Sequence, residues 1–182
     1  MRLLILSTAF LATLACADEQ QEWPIRTDVV FYEAVVAGTP IKVVISEKAF
    51  DPTKHKTTEA ENRGTEENPD WIGATVDGRP VIGTDQTLPP KGLPQLGRIV
   101  VHFGDRQVEV PESLTSNVFL PHLHEPAVFN LRDANSIVSI SADGKCVQID
   151  LGVGDGGGAG TAFFAVSADG KSTSQQPRRP EP

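Results

Sequence analysis

The chain reads as all-β: a single antiparallel β-sandwich or partly open β-barrel that follows an N-terminal signal segment. Three observations predict this. Short runs rich in Val, Ile, Phe and Thr recur along the chain, Asp-Gly and Gly-Asp dipeptides punctuate them, and no long amphipathic stretch of helical period occurs. Strands joined by turns at this spacing build sandwiches or barrels.

The N-terminus comes first. Arg2 precedes an apolar run from Leu3 to Ala15, relieved only by Ser7, Thr8 and Thr13. That is a charged start and an apolar core of signal-peptide length, too short for a retained membrane-spanning helix. Ala15-Cys16-Ala17 places small residues at −3 and −1 of a type I signal peptidase site, so cleavage after Ala17 is expected and residues 1–17 form the signal peptide. The alternative takes Thr13-Leu14-Ala15-Cys16 as a degenerate lipobox, with Cys16 becoming a lipidated N-terminus. The expected location is the bacterial periplasm or the secreted fraction, or the membrane surface if Cys16 carries the anchor. No transmembrane segment is expected in the mature chain.

The formal net charge is −8, and removal of the signal segment, which holds Arg2 and no acid, makes it −9. An acidic domain repels nucleic acid and anionic lipid, and with only Arg178-Arg179 adjacent there is no basic patch to overrule the net charge. Cys16 and Cys146 are the only cysteines, so no intramolecular disulfide framework is available. The remaining ~165 residues are enough for one ordinary core without staples.

Residues 18–27 read as a linker and 28–168 as the β-domain. Val29 to Val36 and Ile41 to Ile45 flank an Ala37-Gly38-Thr39-Pro40 break, and their near-continuous apolarity predicts a central strand pair covered on both faces. Residues 51–70 are dense in Lys, Glu, Thr and Asn, a polar loop or insertion with a lone His55. Trp71 to Val76, then Asp77-Gly78, then Arg79 to Ile82 give a hairpin signal, with Pro80 placing its second arm at a sheet edge. After a Pro-rich connection, the turn at Gly104-Asp105 puts Val101 opposite Val108, Val100 opposite Glu109 and His102 opposite Gln107. A short helical candidate spans Glu112 to Asn117. Around Asp143-Gly144, Ile140 falls opposite Val147 and Val138 opposite Ile149. Thr161 to Val166 forms a last strand, and Ser167 to Lys171 copies Ser141 to Lys145, a sign of shared turn chemistry. Residues 169–182 are expected to be a disordered tail.

The candidate metal site is His122-Leu123-His124, since residues two apart on an extended chain point the same way and offer two imidazoles to Zn or Cu, with Glu125 or His102 supplementing. Pro121 and Pro126 bracket the segment, so the plainer reading is a loop with two solvent-facing histidines. Gly152, Gly154 and Gly157 carry the letters of a dinucleotide fingerprint, but another β segment follows them and no helix N-terminus is there to hold a pyrophosphate. Asp150 and Asp155 among those glycines suggest Ca, weighed against a mobile connection between strands. Cys146 has only Lys145 as a flanking cation, and no serine sits in a nucleophile elbow. Glu59, Glu61, Glu66 and Glu67 read as a solvated charge run. Trp71 is a candidate for stacking on sugars, while Trp23 beside Pro24 tucks the N-terminus against the domain.

The leading expectation is therefore an exported, non-catalytic β-domain of the cell envelope or secreted fraction that binds a protein or polysaccharide partner and needs no cofactor. The alternative is a metal-binding protein or metal-dependent enzyme using His122 and His124, with His102 in support.

Overall fold

Glycine and aspartate at positive φ set the hairpins. In the computed structural model, which describes residues 23–68, 70–123, 136–154 and 158–175, Val29–Val36 (β1) and Thr39–Ala49 (β2) are joined by Ala37 and Gly38 at φ 49° and 79°. Two successive residues at positive φ make the tight turn whose twist matches the flanking strands. The signal segment 1–17 with Cys16, residues 18–22, His124, Asp155 and residues 176–182 lie outside the described residues.

Short elements fill the polar region: a 3-10 turn at Pro52–Lys54, then Thr57–Thr58 (β3), Glu61–Asn62 (β4), Trp71–Ile72 (β5), Thr75–Val76 (β6) and Arg79–Pro80 (β7). Asp77 and Gly78, at φ 53° and 76°, turn β6 into β7 as the sequence predicts, and β7 with Pro80 is the edge of the sheet β3-β6-β7. Longer strands follow: Pro94–Phe103 (β8), Arg106–Glu109 (β9), Ile137–Ile140 (β10), Cys146–Val153 (β11), Gly160–Ser167 (β12) and Ser172–Gln175 (β13). No α-helix occurs among the described residues, and the helical candidate at 112–117 is only a 3-10 turn, Glu112–Leu114. No described helix is long and apolar enough to cross a membrane.

Two four-stranded antiparallel sheets, β1-β2-β8-β9 and β10-β11-β12-β13, carry the main core. Both hairpin registers read from the sequence hold: Val101 pairs with Val108 and His102 with Gln107, while Val138 pairs with Ile149 and Ile140 with Val147. Strand alternation then sends Ile41, Val43, Ile45, Leu96, Ile99 and Val101 from one sheet into the same cluster as Val147, Ile149, Leu151 and Phe164 from the other. At about 25 cal/mol per Å² of apolar surface, each such buried side chain contributes roughly 1.5–3 kcal/mol. A smaller cluster of Phe50, Ala74, Val76, Val81, Leu93 and Phe119 sits beside it under the short strands.

Three places differ from the sequence reading. β1 is an edge strand and not a central one, and Val30 and Val35 on it are 48% and 70% exposed. Its apolarity has a local cause. The register skips Phe31 between Val30 and Tyr32, so this bulge lets Phe31 and Tyr32 both pack against the core. The polar region 51–70 is tied down by β3 and β4 rather than left as a free loop. The chain continues past Lys171 as β13, within the stretch expected to be a tail.

The copied pentapeptides adopt one geometry. Ser141 Oγ donates to Asp143 Oδ1 at 2.7 Å and the Lys145 N–H to the same oxygen at 3.1 Å; Ser167, Asp169 and Lys171 repeat this at 2.7 and 3.2 Å. The copies lie side by side, joined where the Ala168 N–H donates to the Lys145 carbonyl at 2.8 Å.

Candidate binding site

Strand alternation along β2 places Ile41, Val43 and Ile45 on the inner face, each wholly buried, and the next inward position is Glu47, only 7% exposed. A carboxylate thus continues an apolar stripe at the end of the sheet. Its neighbourhood is built by a bulge: Ser46 pairs with Arg98 and Glu47 with Leu96, so Gly97 is the extra residue of β8. A Cβ at Gly97 would lie 2.9 Å from the Ser46 carbonyl oxygen, which leaves room only for glycine. The carboxylate is strapped from the N-terminal side, where Oε2 accepts the Arg26 N–H at 2.8 Å and the Glu47 N–H donates to the Arg26 carbonyl at 2.7 Å.

The opposite wall is a strap that stitches the two main sheets together. Leu96 N–H donates to Val118 O at 2.8 Å and Leu120 N–H to Pro94 O at 2.9 Å on the β8 side; His122 N–H donates to Gly152 O and Gly154 N–H to Leu120 O, both at 2.9 Å, on the β11 side. Leu120 holds φ 50°, a left-handed conformation that costs a non-glycine residue about 1 kcal/mol or more. The His122 ring is fixed by its Nε2, 2.6 Å from the Gly154 carbonyl oxygen. A carbonyl only accepts, so Nε2 is the donor in this hydrogen bond. Nδ1 is buried and has no hydrogen-bond partner among the described residues.

Between these walls lies an open groove of about 300 Å³. Trp23, Pro24, Pro94, Leu120 and Pro121 supply apolar surface, and Glu47 and His122 supply polar groups; Arg26, exposed, stands beside them. Its place at the end of the two-sheet core is where β-proteins commonly receive ligands. The glycines nearby serve packing. A Cβ at Gly154, φ 70°, would come within 2.5 Å of Gly158 O and 2.6 Å of Gly83 O, so three backbone segments meet where a mobile connection was expected.

The other predicted residues are scattered. His102 lies on the outer face of the first sheet in the cross-strand row Glu33, Lys42, His102, Gln107. It is eight positions along β8 from Pro94 at the groove, about 26 Å at 3.3 Å per residue, so the structure does not bring it to His122. His124 is outside the described residues, and among those described no group of three or more His, Cys, Asp or Glu is placed to hold a metal ion. The Trp71 backbone pairs with Asn62, while its side chain is outside the description. Cys146 is an exposed free thiol at the start of β11, and Asp150 accepts a hydrogen bond from Gln148 at 3.0 Å.

A second polar constellation was not foreseen. His55, treated as a loop residue, has a side chain only 8% exposed, stacked on Phe50 at 5.5 Å between ring centroids, with Nδ1 2.8 Å from Asp77 Oδ2. Burial alone would raise the Asp77 pKa, but hydrogen bonds from His55 and the Lys56 N–H outweigh it and hold the carboxyl below its ordinary range. Ser116 Oγ is buried and has no hydrogen-bond partner among the described residues, so it is not joined to the imidazole. Glu47 had one signal in the sequence, an acid where the apolar alternation calls for a hydrophobe; the His55–Asp77 pair, 22 positions apart, had none.

No protein-family model, no curated protein and no solved structure matches this chain.

Proposed function

We propose that the chain is an exported, non-catalytic binding domain, a two-sheet β-sandwich of the bacterial periplasm or secreted fraction, which takes part of a protein or polymer partner into the groove at its open end. Export rests on the apolar segment before Ala17 and the acidic chain after it. The observation that carries the binding reading is Glu47. An apolar side chain there would complete the core stripe, and replacing buried charge by well-packed hydrophobe is commonly neutral or stabilising. A carboxylate kept at such a position, held by a bulge, a strap and the strained Leu120, marks a site that trades stability for recognition.

The test is a fragment screen by ligand-observed NMR on protein expressed from the full-length gene, repeated with Leu120→Trp to fill the groove. Fragments that bind the native protein and not the filled one are expected; hits indifferent to the substitution would remove the groove from the reading. Turnover of any substrate in a broad hydrolase panel would end the non-catalytic half.

One observation favours a metal at His122 as a second reading. Metal-ligating histidines commonly donate one ring N–H to a carbonyl and bind through the other nitrogen, and His122 has that pattern with Gly154. Mass spectrometry after supply of Zn, Cu or Ca should then find about one ion per chain, lost in His122→Ala with His124→Ala.

A further inference from the structure

Sheet edges are where a β-protein meets other backbones, and most edges in this fold are short or guarded. Among the described strands, β9, β10 and β13 are four residues long, β3, β4 and β5 two, and β7 carries Pro80. β1 differs from all of these, with eight residues, no proline, no cation and Glu33 as its only charge.

The direction of its free backbone groups follows from β2. Pro40 faces β8, since its carbonyl accepts the Gly104 N–H at 2.7 Å. Val35 lies directly opposite Pro40 and Glu33 opposite Lys42, so both pairs are of the non-hydrogen-bonded kind. The N–H and carbonyl groups of Glu33 and Val35 therefore point away from β2, at the open edge. The bulge at Phe31 closes this stretch on one side and the turn at Ala37 on the other. Residues two apart share a face, so Val35 stands with Glu33 on the outer side of the sheet, in solvent. An incoming strand meets open ladder groups, a carboxylate and an apolar side chain. Across from Glu33 a cation is favoured and a second acid is not, because like charges directly opposite repel. Lys42 already stands on the other side of Glu33, and a cation from the partner would extend the alternation of sign along that row. A second copy of the chain has no cation on its own β1 to place there, and it brings the same net charge of −8.

We propose that the 32–36 edge of β1 docks an extended segment of a basic partner protein. The segment adds a strand to the sheet, with a Lys or Arg across from Glu33 and an apolar residue across from Val35. Strand addition takes its affinity from main-chain hydrogen bonds and its specificity from alternate side chains. An acidic domain and a basic partner also meet faster. This edge shares no lining residue with the groove.

The experiment uses the full-length gene product and a dye-labelled, blocked heptapeptide, Thr-Val-Thr-Lys-Thr-Val-Thr, followed by fluorescence anisotropy. The native protein should bind it about tenfold tighter than the analogue with Glu for Lys, and the analogue N-methylated on Lys and both Val should not bind. Glu33→Lys should invert the preference between the Lys and Glu peptides, an exchange that damage to the fold would not produce. Val35→Pro removes only an outward N–H, so it should abolish binding while circular dichroism stays native. Leu120→Trp, which fills the groove, should leave the affinity unchanged. On adding the Lys peptide, the Glu33 and Val35 amides should gain protection in hydrogen exchange. Absence of binding, equal binding of the Lys and Glu peptides, or binding that survives N-methylation would overturn the proposal and leave the groove untouched. Loss of binding in Leu120→Trp would move the peptide to the groove and overturn it as well. Self-association of the protein that the peptide does not displace would assign the edge to a second copy, and the basic partner would be discarded.

Discussion

His55 and His122 each hold a distant piece of chain, yet they end in opposite states. His55 is stacked on Phe50 and joined to Asp77, whose carboxylate also takes the Lys56 N–H at 3.0 Å. Its surroundings close a loop and point at no cavity described above. His122 spends one nitrogen on Gly154 and keeps the other buried without a partner among the described residues, beside a groove that also holds a buried acid. Saturated polar groups stabilise a fold. An imidazole nitrogen left with capacity, in a place that glycines and strained backbone were needed to build, is where a fold keeps something in reserve. Four outcomes would break or sharpen this contrast.

The largest effect is expected at Gly154→Ala. The added Cβ meets the Gly158 and Gly83 carbonyls and forces φ 70° on alanine, so urea unfolding should show a loss of about 3 kcal/mol or more, with the groove disordered first in hydrogen exchange. A loss under about 1 kcal/mol would mean that the three backbone segments are not in close contact. Next, His55→Ala should cost roughly 2–3 kcal/mol through the lost stack and the lost hydrogen bond to Asp77, against about 1 kcal/mol for His122→Ala. If His122→Ala costs more than His55→Ala in the same urea series, the contrast is reversed.

The pH dependence follows from Asp77. Its folded pKa lies below the ordinary value, so its contribution is fully present above the unfolded value near 3.9 and is lost as pH falls through the folded one. Thermal midpoints of the native protein should therefore drop below about pH 4, and Asp77→Asn should flatten that limb while lowering the plateau. An acid limb unchanged in Asp77→Asn would assign it to other carboxylates. Smallest of all, Lys171→Ala should leave the melting midpoint unmoved. Hydrogen bonds from the Lys171 ammonium, Ser167 and the Lys171 N–H hold the Asp169 pKa far below its ordinary range, yet both side chains are exposed and solvent screens their ion pair.

The hairpins were legible because their determinants are local. Asp77-Gly78 needs positive φ at two adjacent residues, and the residue types that tolerate it are adjacent in the sequence. The same holds for Ser141 and Ser167, whose hydroxyls find an aspartate two positions on. What escaped was set by residues far apart in the chain. The Phe31 bulge allowed an edge strand to look like a central one, because an extra residue puts two aromatics on one face. Gly97 and Gly154 are small for the sake of backbone that arrives from elsewhere, and no composition rule says from where. Glu47 was visible in principle, since Ile41, Val43 and Ile45 set a period that it interrupts. A search for acids in step with apolar residues would have found it.

The exposed edge of β1 has a colloidal consequence. A strand with open backbone groups, apolar side chains at Val30 and Val35 and Glu33 as its only charge is adhesive toward its own kind. Long-range repulsion between acidic molecules is what holds two such edges apart. High salt or mild acid weakens that repulsion, so the net charge sets the conditions in which two such edges meet.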